Sequence, residues 1–174
     1  MASKLQAIVN ASHKDLETSM KLASQRFGFS KLKEQQKNAV EATLCGKDVF
    51  VSLPTGFGKS LIYQLLPVCA EELAILNPVG PDFKPFVVIV SPLVSLMQDQ
   101  VAALRDKGFK ASLCVSHRDR VLESDPCALQ SVYIFASPEG LLGTDHWRKT
   151  ILSDTFQENI LALVIDEAHC VAKW

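Results

Sequence analysis

Long apolar runs, closely spaced cysteine pairs and an excess of charge of either sign are all missing from this sequence. The longest uninterrupted apolar stretch, Ile160 to Ile165, is far below the roughly 20 residues a helix needs to cross a bilayer. Met1-Ala2-Ser3-Lys4-Leu5 lacks the apolar core of a signal peptide. Together these absences set the expectation of a soluble, intracellular protein without a membrane partner. Lys and Arg number 18 against 19 Asp and Glu, a formal net charge of -1. No global positive field therefore draws the chain toward nucleic acid, and any such binding has to come from a local surface. The five cysteines, Cys45, Cys69, Cys114, Cys127 and Cys170, form no C-x-x-C pair, which argues against a zinc or redox motif and for reduced thiols. Neither an internal repeat nor a low-complexity tract is visible.

What is present suffices for one core. A chain of 174 residues, 48% of them hydrophobic, fits one domain and leaves no room for a second full one. Four short runs are almost continuously apolar: Val49 to Val51, Phe86 to Val90, Val132 to Phe135 and Leu161 to Ile165. Such runs, rich in Val, Ile and Phe, fit strands buried on both faces. Between them, apolar residues three or four apart mark helices, as at Leu61, Ile62, Leu65 and Leu66, or at Leu93, Leu96, Met97, Val101 and Leu104. Alternating strand and helix predicts an α/β domain built on a parallel sheet. Residues 4 to about 26 read as a helical lead-in, and the breaker-rich stretch Asn77 to Asp82 as an exposed loop.

The segment Leu53-Pro54-Thr55-Gly56-Phe57-Gly58-Lys59-Ser60 follows the first apolar run and leads into a helical pattern. Strand, Gly-rich turn and helix start are the context of a phosphate loop. Gly56 and Gly58 can take backbone angles closed to other residues, so that consecutive N–H groups face a nucleotide's phosphates. The helix dipole adds favourable potential at the same point. Lys59 is suited to reach the β and γ phosphates and Ser60 to ligate Mg²⁺. Leu53 stands where the general pattern has glycine, a departure that helicase-type loops share.

The last apolar run ends in Asp166-Glu167-Ala168-His169, which places two acids at the C-terminal end of a strand, where open α/β sheets hold ligands. Seen alone, they could be surface acids capping a strand. Paired with a phosphate loop, Asp166 is suited to hold Mg²⁺ and Glu167 to orient and deprotonate an attacking water. His169 has no second histidine at ligand spacing, so it reads as a coupling residue rather than a metal ligand.

These motifs resemble superfamily 2 helicases, and among them the RecQ family. Phe27-Gly28-Phe29-Ser30-Lys31-Leu32-Lys33-Glu34-Gln35-Gln36 is similar to the RecQ adenine-recognition segment. The resemblance implies that Phe29 stacks on adenine and Gln36 bonds its edge, with Lys33 replacing the usual arginine and Leu32 the usual phenylalanine. Lysine neither stacks nor forks its donors as a guanidinium does. The string Ser91-Pro92-Leu93-Val94-Ser95-Leu96-Met97-Gln98-Asp99-Gln100 is the most diagnostic piece, because RNA helicases of DEAD type differ there. It implies backbone contact with single-stranded DNA through Ser91 and Ser95, while Leu93, Leu96 and Met97 read as packing positions. Ser137-Pro138-Glu139 resembles a further DNA-contacting motif, or is a plain strand-to-helix turn. Asp166 through Trp174 resembles the start of the family's aromatic-rich, DNA-sensing loop, with Trp174 offering a stacking face and Ala172 in place of a usual serine.

The resemblance runs from Phe27 to Trp174. It implies a P-loop NTPase fold in which a RecA-like parallel sheet is flanked by helices, with only the first motor domain represented. Residues 1–26 are the lead-in and 27–174 the ATP-binding domain. The implied activity is ATP-dependent 3'-to-5' DNA unwinding with Mg²⁺ and ATP, in the nucleus, in concert with a second RecA-like domain that supplies an arginine finger. A truncated nucleotide- and nucleic-acid-binding module, or an RNA helicase, are the alternatives.

Overall fold

The computed structural model describes residues 4–80, 82–114, 131–142 and 145–169. Trp174, Ala172, Cys127 and Cys170 lie outside the described residues. The chain divides into two compact units, Met1–Pro85 and Phe86–Trp174.

The first unit is helical. It contains α1 (Lys4–Val9), α2 (His13–Arg26), α3 (Glu34–Leu44) and α4 (Lys59–Leu76). Residues 4 to 26, read as helical from the sequence, hold α1 and α2 within this unit. Helix α4 is apolar nearly all round and buries Leu61, Ile62, Leu65, Leu66, Val68, Cys69 and Leu73 among others. A helix of that composition has to be a core element, and α2 and α3 both pack against it. Pro67 lies inside α4; it removes one backbone donor, a loss that the surrounding helices offset by burying its neighbours. Burial pushes the Cys69 thiol up to about 12, and Cys45, Cys69 and Cys114 are free thiols.

Val49 to Val51 form no strand, contrary to expectation, and Phe50 is 86% exposed. A strand exists only through pairing with another strand, and the described residues of this unit offer only helices. Apolar content alone cannot make one.

The second unit is the sheet. Its strands β1 (Phe86–Val90), β2 (Ala111–Cys114), β3 (Tyr133–Ala136) and β4 (Ile160–Ile165) run parallel in the order β2-β3-β1-β4. They alternate with α5 (Val94–Asp106), α6 (Pro138–Leu142), α7 (Asp145–Ile151) and α8 (Asp154–Gln157). Strand β1 is central and buried at every position, as its unbroken apolar run required. One face carries Phe86, Val88, Val90, Ile134 and Ala136 against Leu141, Trp147 and Phe156, with Phe86 and Phe156 meeting edge-on at 4.9 Å. Helix α5 packs on β2 and β3 and buries Met97, Val101 and Leu104.

Three expectations change here. Strand β2 has no long apolar run, because Ala111-Ser112-Leu113-Cys114 is a short edge strand that needs few large side chains. Strand β4 lies at the opposite edge, with Leu163 58% and Ile165 45% exposed rather than buried on both faces. Leu93 is 51% exposed instead of packed, since it precedes α5 in extended conformation and so falls outside the helical face that Met97 and Val101 share.

Candidate nucleotide site

The segment from Phe27 to Gln36 begins as a helix stop. Gly28 N–H donates to Gln25 O at 2.9 Å and Phe29 N–H to Ser24 O at 2.9 Å, the paired bonds of a Schellman cap on α2. Phe27 is buried by this turn while Phe29 stays 48% exposed. Four residues on, the chain enters α3. Gln36 Oε1 there accepts the Lys33 N–H at 3.0 Å, satisfying a donor at the helix start that would otherwise be orphaned.

The other end of Gln36 reaches the glycine turn. Its Nε2 donates to the carbonyls of Phe57 and Gly58, each at 3.2 Å, and the residue is only 4% exposed. Sequence reasoning assigned Gln36 to an adenine edge; in the structure both ends of its amide are engaged by backbone. A planar trans peptide points its C=O and the following N–H in opposite directions. Donors behind the Phe57 and Gly58 carbonyls therefore turn the Gly58 and Lys59 N–H groups to the far side of the loop.

Gly56 and Gly58 have φ of 77° and 86°, left-handed values that side-chain-bearing residues adopt at a cost of about 1–2 kcal/mol. A Cβ on Gly58 would also meet Gln36 Nε2 at 2.8 Å. Gly58→Ala is accordingly expected to lower Tm and to weaken phosphate binding together. Retention of both in a thermal melt with and without ATP would show that the turn tolerates another geometry.

Phe57 N–H closes the turn on Pro54 O at 3.2 Å, leaving Pro54 and Thr55 exposed at its apex. Gly58 caps α4, and Lys59 and Ser60 are its first two residues, both half-buried. Lys59 Nζ crosses to Leu53 O at 3.0 Å. That acceptor is neutral, so an anionic phosphate oxygen would outcompete it. The free N–H groups and positive dipole end of an 18-residue helix stand at the same place. Glycine turn, ammonium and helix terminus thus fit a polyphosphate, and the Ser60 hydroxyl is a hard oxygen donor of the kind Mg²⁺ takes.

In the second unit the ladder continues one residue past three strands. Ser137 N–H donates to Cys114 O at 3.0 Å, Ser91 N–H to Ala136 O at 3.1 Å and Asp166 N–H to Val90 O at 2.9 Å. Ser137, Ser91 and Asp166 therefore form one row along the C-terminal edge of the parallel sheet, the edge at which such sheets bind ligands. Ser91 is 1% exposed, and its hydroxyl has no hydrogen-bond partner among the described residues. Ser95 is exposed on the first turn of α5. The Ser137 hydroxyl accepts the Gly140 N–H at 3.0 Å, so the segment is the strand-to-helix turn that one sequence reading offered. Gly140 is required by close approach: a Cβ there would stand 2.6 Å from Cys114 O.

Glu167 has a φ of 54°, the one left-handed non-glycine among the described residues. Its N–H donates to Asp166 Oδ1 at 3.1 Å, and His169 Nδ1 lies 3.2 Å from its Oε2. The backbone reversal costs about 1–3 kcal/mol, and such outliers cluster at functional sites. Here it turns the second acid away from strand alternation and hands its carboxylate to His169. Sequence alone carried no sign of this strain.

Residues 33–174 match the family model described as DEAD/DEAH box helicase. The chain belongs to that family. This helicase chain is 36% identical over 154 residues to the ATP-dependent helicase SGS1 of Saccharomyces cerevisiae, with 85% of the chain and 10% of the relative covered. It is 34% identical to the probable ATP-dependent DNA helicase RecS of Bacillus subtilis, covering 86% of the chain and 27% of the relative. To the ATP-dependent DNA helicase RecQ of Pasteurella multocida it is 29% identical, over 91% of the chain and 23% of the relative. The helicase chain thus spans from a tenth to about a quarter of the length of these relatives. Its fold is similar to that of the DUF1998 helicase MrfA solved with DNA and AMPPNP, with a TM-score of 0.64, 20% identity, and 92% of this chain and 22% of that one covered. The parallel sheet with flanking helices is accordingly the RecA-like helicase fold.

Proposed function

We propose that this chain is the ATP- and Mg²⁺-binding first motor domain of a RecQ-type helicase that couples ATP hydrolysis to 3'-to-5' unwinding of DNA. The phosphate loop carries the reading: left-handed glycines at 56 and 58, held from behind by Gln36, deliver N–H groups and Lys59 to the start of α4. Lys59 binds the β and γ phosphates, and Phe29 stacks on the base with its exposed ring. Ser60 and Asp166 are the oxygen donors that would hold Mg²⁺, which would supply charge neutralisation for the phosphates. Glu167 accepts the proton of the attacking water, and His169, in contact with it, couples its position to the DNA-binding surface. Ser91, Ser95 and Ser137 lie at or near the C-terminal edge of the sheet, where their hydroxyl groups are suited to meet a phosphate backbone without reading sequence; Trp174 adds a stacking face.

The three named relatives are helicases, two of them DNA helicases by name, and this supports DNA over RNA. A second RecA-like domain would supply the arginine finger, worth about 10³–10⁵ in rate in related systems. Nuclear residence is proposed from the likeness to eukaryotic relatives such as SGS1, and a role in DNA recombination or repair from the resemblance to the RecQ family. The test is ATP hydrolysis by the intact protein with single-stranded DNA or RNA of equal length. Stimulation by DNA well above that by RNA is expected. Equal stimulation by RNA would overturn the DNA assignment, and nucleotide binding without any turnover would favour a binding module.

A further inference from the structure

The Phe57 carbonyl accepts a second donor. Lys33 Nζ lies 3.2 Å from it and 3.9 Å from the centroid of the Phe57 ring. One ammonium thus holds both the backbone and the side chain of the residue at the centre of the glycine turn. From the base-recognition segment, Lys33 folds back onto the phosphate loop.

We propose that Lys33 is a positioning residue for the phosphate loop, acting through Phe57, and that its contribution to nucleotide binding is independent of the base. The peptide joining Phe57 to Gly58 has its C=O on the Lys33 side, so its N–H points to the opposite side. A cationic donor on the carbonyl does two things to that peptide. It fixes the plane, because Gln36 and Lys33 approach the same oxygen and leave it little freedom to rotate. It also polarises the amide, making the Gly58 N–H a better donor to an anion on the far side. Phe57 contributes its ring face, over which the ammonium is held. A glycine turn with two left-handed residues gains from such an external brace, since glycine loses the most conformational freedom on being ordered. Lysine, with one compact ammonium on a flexible stem, can reach a carbonyl and cap a ring at once.

This inference rests on the phosphate-loop reading above, and the two can fail separately. Affinities for ATP and for inorganic tripolyphosphate, each with Mg²⁺, are measured for the wild-type protein, Lys33→Ala, Phe57→Ala, the double variant and Lys33→Arg. Lys33→Ala is expected to weaken both ligands by the same factor, about 3- to 10-fold. Lys33→Arg, which keeps the charge and can still donate to the carbonyl or lie over the ring, should restore part of the tripolyphosphate binding lost in Lys33→Ala. In the Phe57→Ala background Lys33→Ala should cost at least about 2-fold less, because half of its partner is already gone. A loss confined to ATP would make Lys33 a base reader and overturn the proposal. An equal loss in both backgrounds would reduce it to a distant charge, and no loss would leave it without a role; either result overturns it. Wild-type binding of ATP but not of tripolyphosphate would overturn it as well. Binding of neither ligand would bring down the phosphate-loop reading itself.

Discussion

Glu167→Gln should slow ATP hydrolysis by about 10²- to 10⁴-fold, the usual contribution of a positioned general base, while nucleotide affinity stays unchanged. The amide has the shape of the carboxylate and can keep a hydrogen bond to His169, which sits 3.2 Å from Oε2, but it cannot take a proton from water. The backbone supports the assignment. A φ of 54° at a residue with a long side chain is unfavourable, and nothing about the end of a strand requires it. Its effect is to aim the carboxylate away from the direction strand alternation would give. Glu167→Gly would relax this strain and should leave Tm unchanged or higher, yet remove turnover. Single-turnover hydrolysis and equilibrium binding, measured on the same variants, separate the outcomes. Turnover retained in Glu167→Gln would move the base elsewhere, and affinity lost in it would make Glu167 a ligand-binding group.

Lys59→Ala should weaken nucleotide binding about 10- to 100-fold, the loss expected for one or two charge-assisted contacts to phosphate. Without ligand the same change should leave Tm unchanged or slightly raised. Lys59 is the first residue of α4, where the helix dipole disfavours a cation by about 0.3–1 kcal/mol. Its bond to the neutral Leu53 carbonyl at 3.0 Å is only half-buried and offsets part of that cost. The lysine is thus kept at a site that does not favour it until an anion arrives. Thermal melts read this directly. At a ligand concentration 100 times the wild-type Kd, binding stabilises the wild type by about 2.7 kcal/mol; a 100-fold weaker variant gains about 0.4 kcal/mol. An undiminished ATP-induced shift in Lys59→Ala would show that the ammonium does not meet the phosphates.

Much of the candidate chemistry of each unit was legible because it is local. Pro54 to Ser60 are consecutive, and a left-handed glycine turn capping a helix is specified by the residues in it. Asp166 and Glu167 follow a strand that its apolar run announced. Less legible were features whose partners are distant in sequence. Nothing in the run from Phe27 to Gln36 says that the Gln36 amide meets the carbonyls of the glycine turn, or that Lys33 lies over the ring of Phe57. Strand Ala111 to Cys114 went unseen because an edge strand needs few apolar residues. Val49 to Val51 show the converse, an apolar run with no strand.

By itself the sequence determined the glycine turn, the paired acids and the buried central strand, since each is encoded in residue types a few positions apart, and the resemblance of those motifs pointed to the helicase class. Only the tertiary structure decided the rest: the row of Ser137, Ser91 and Asp166 on one sheet edge, the strain at Glu167, and the brace of Lys33 and Gln36 behind the phosphate loop. The physical reason is common to all three. Strand pairing and hydrogen bonds between distant segments depend on which backbone groups remain unsatisfied once local structure has formed, and that is a property of the folded chain.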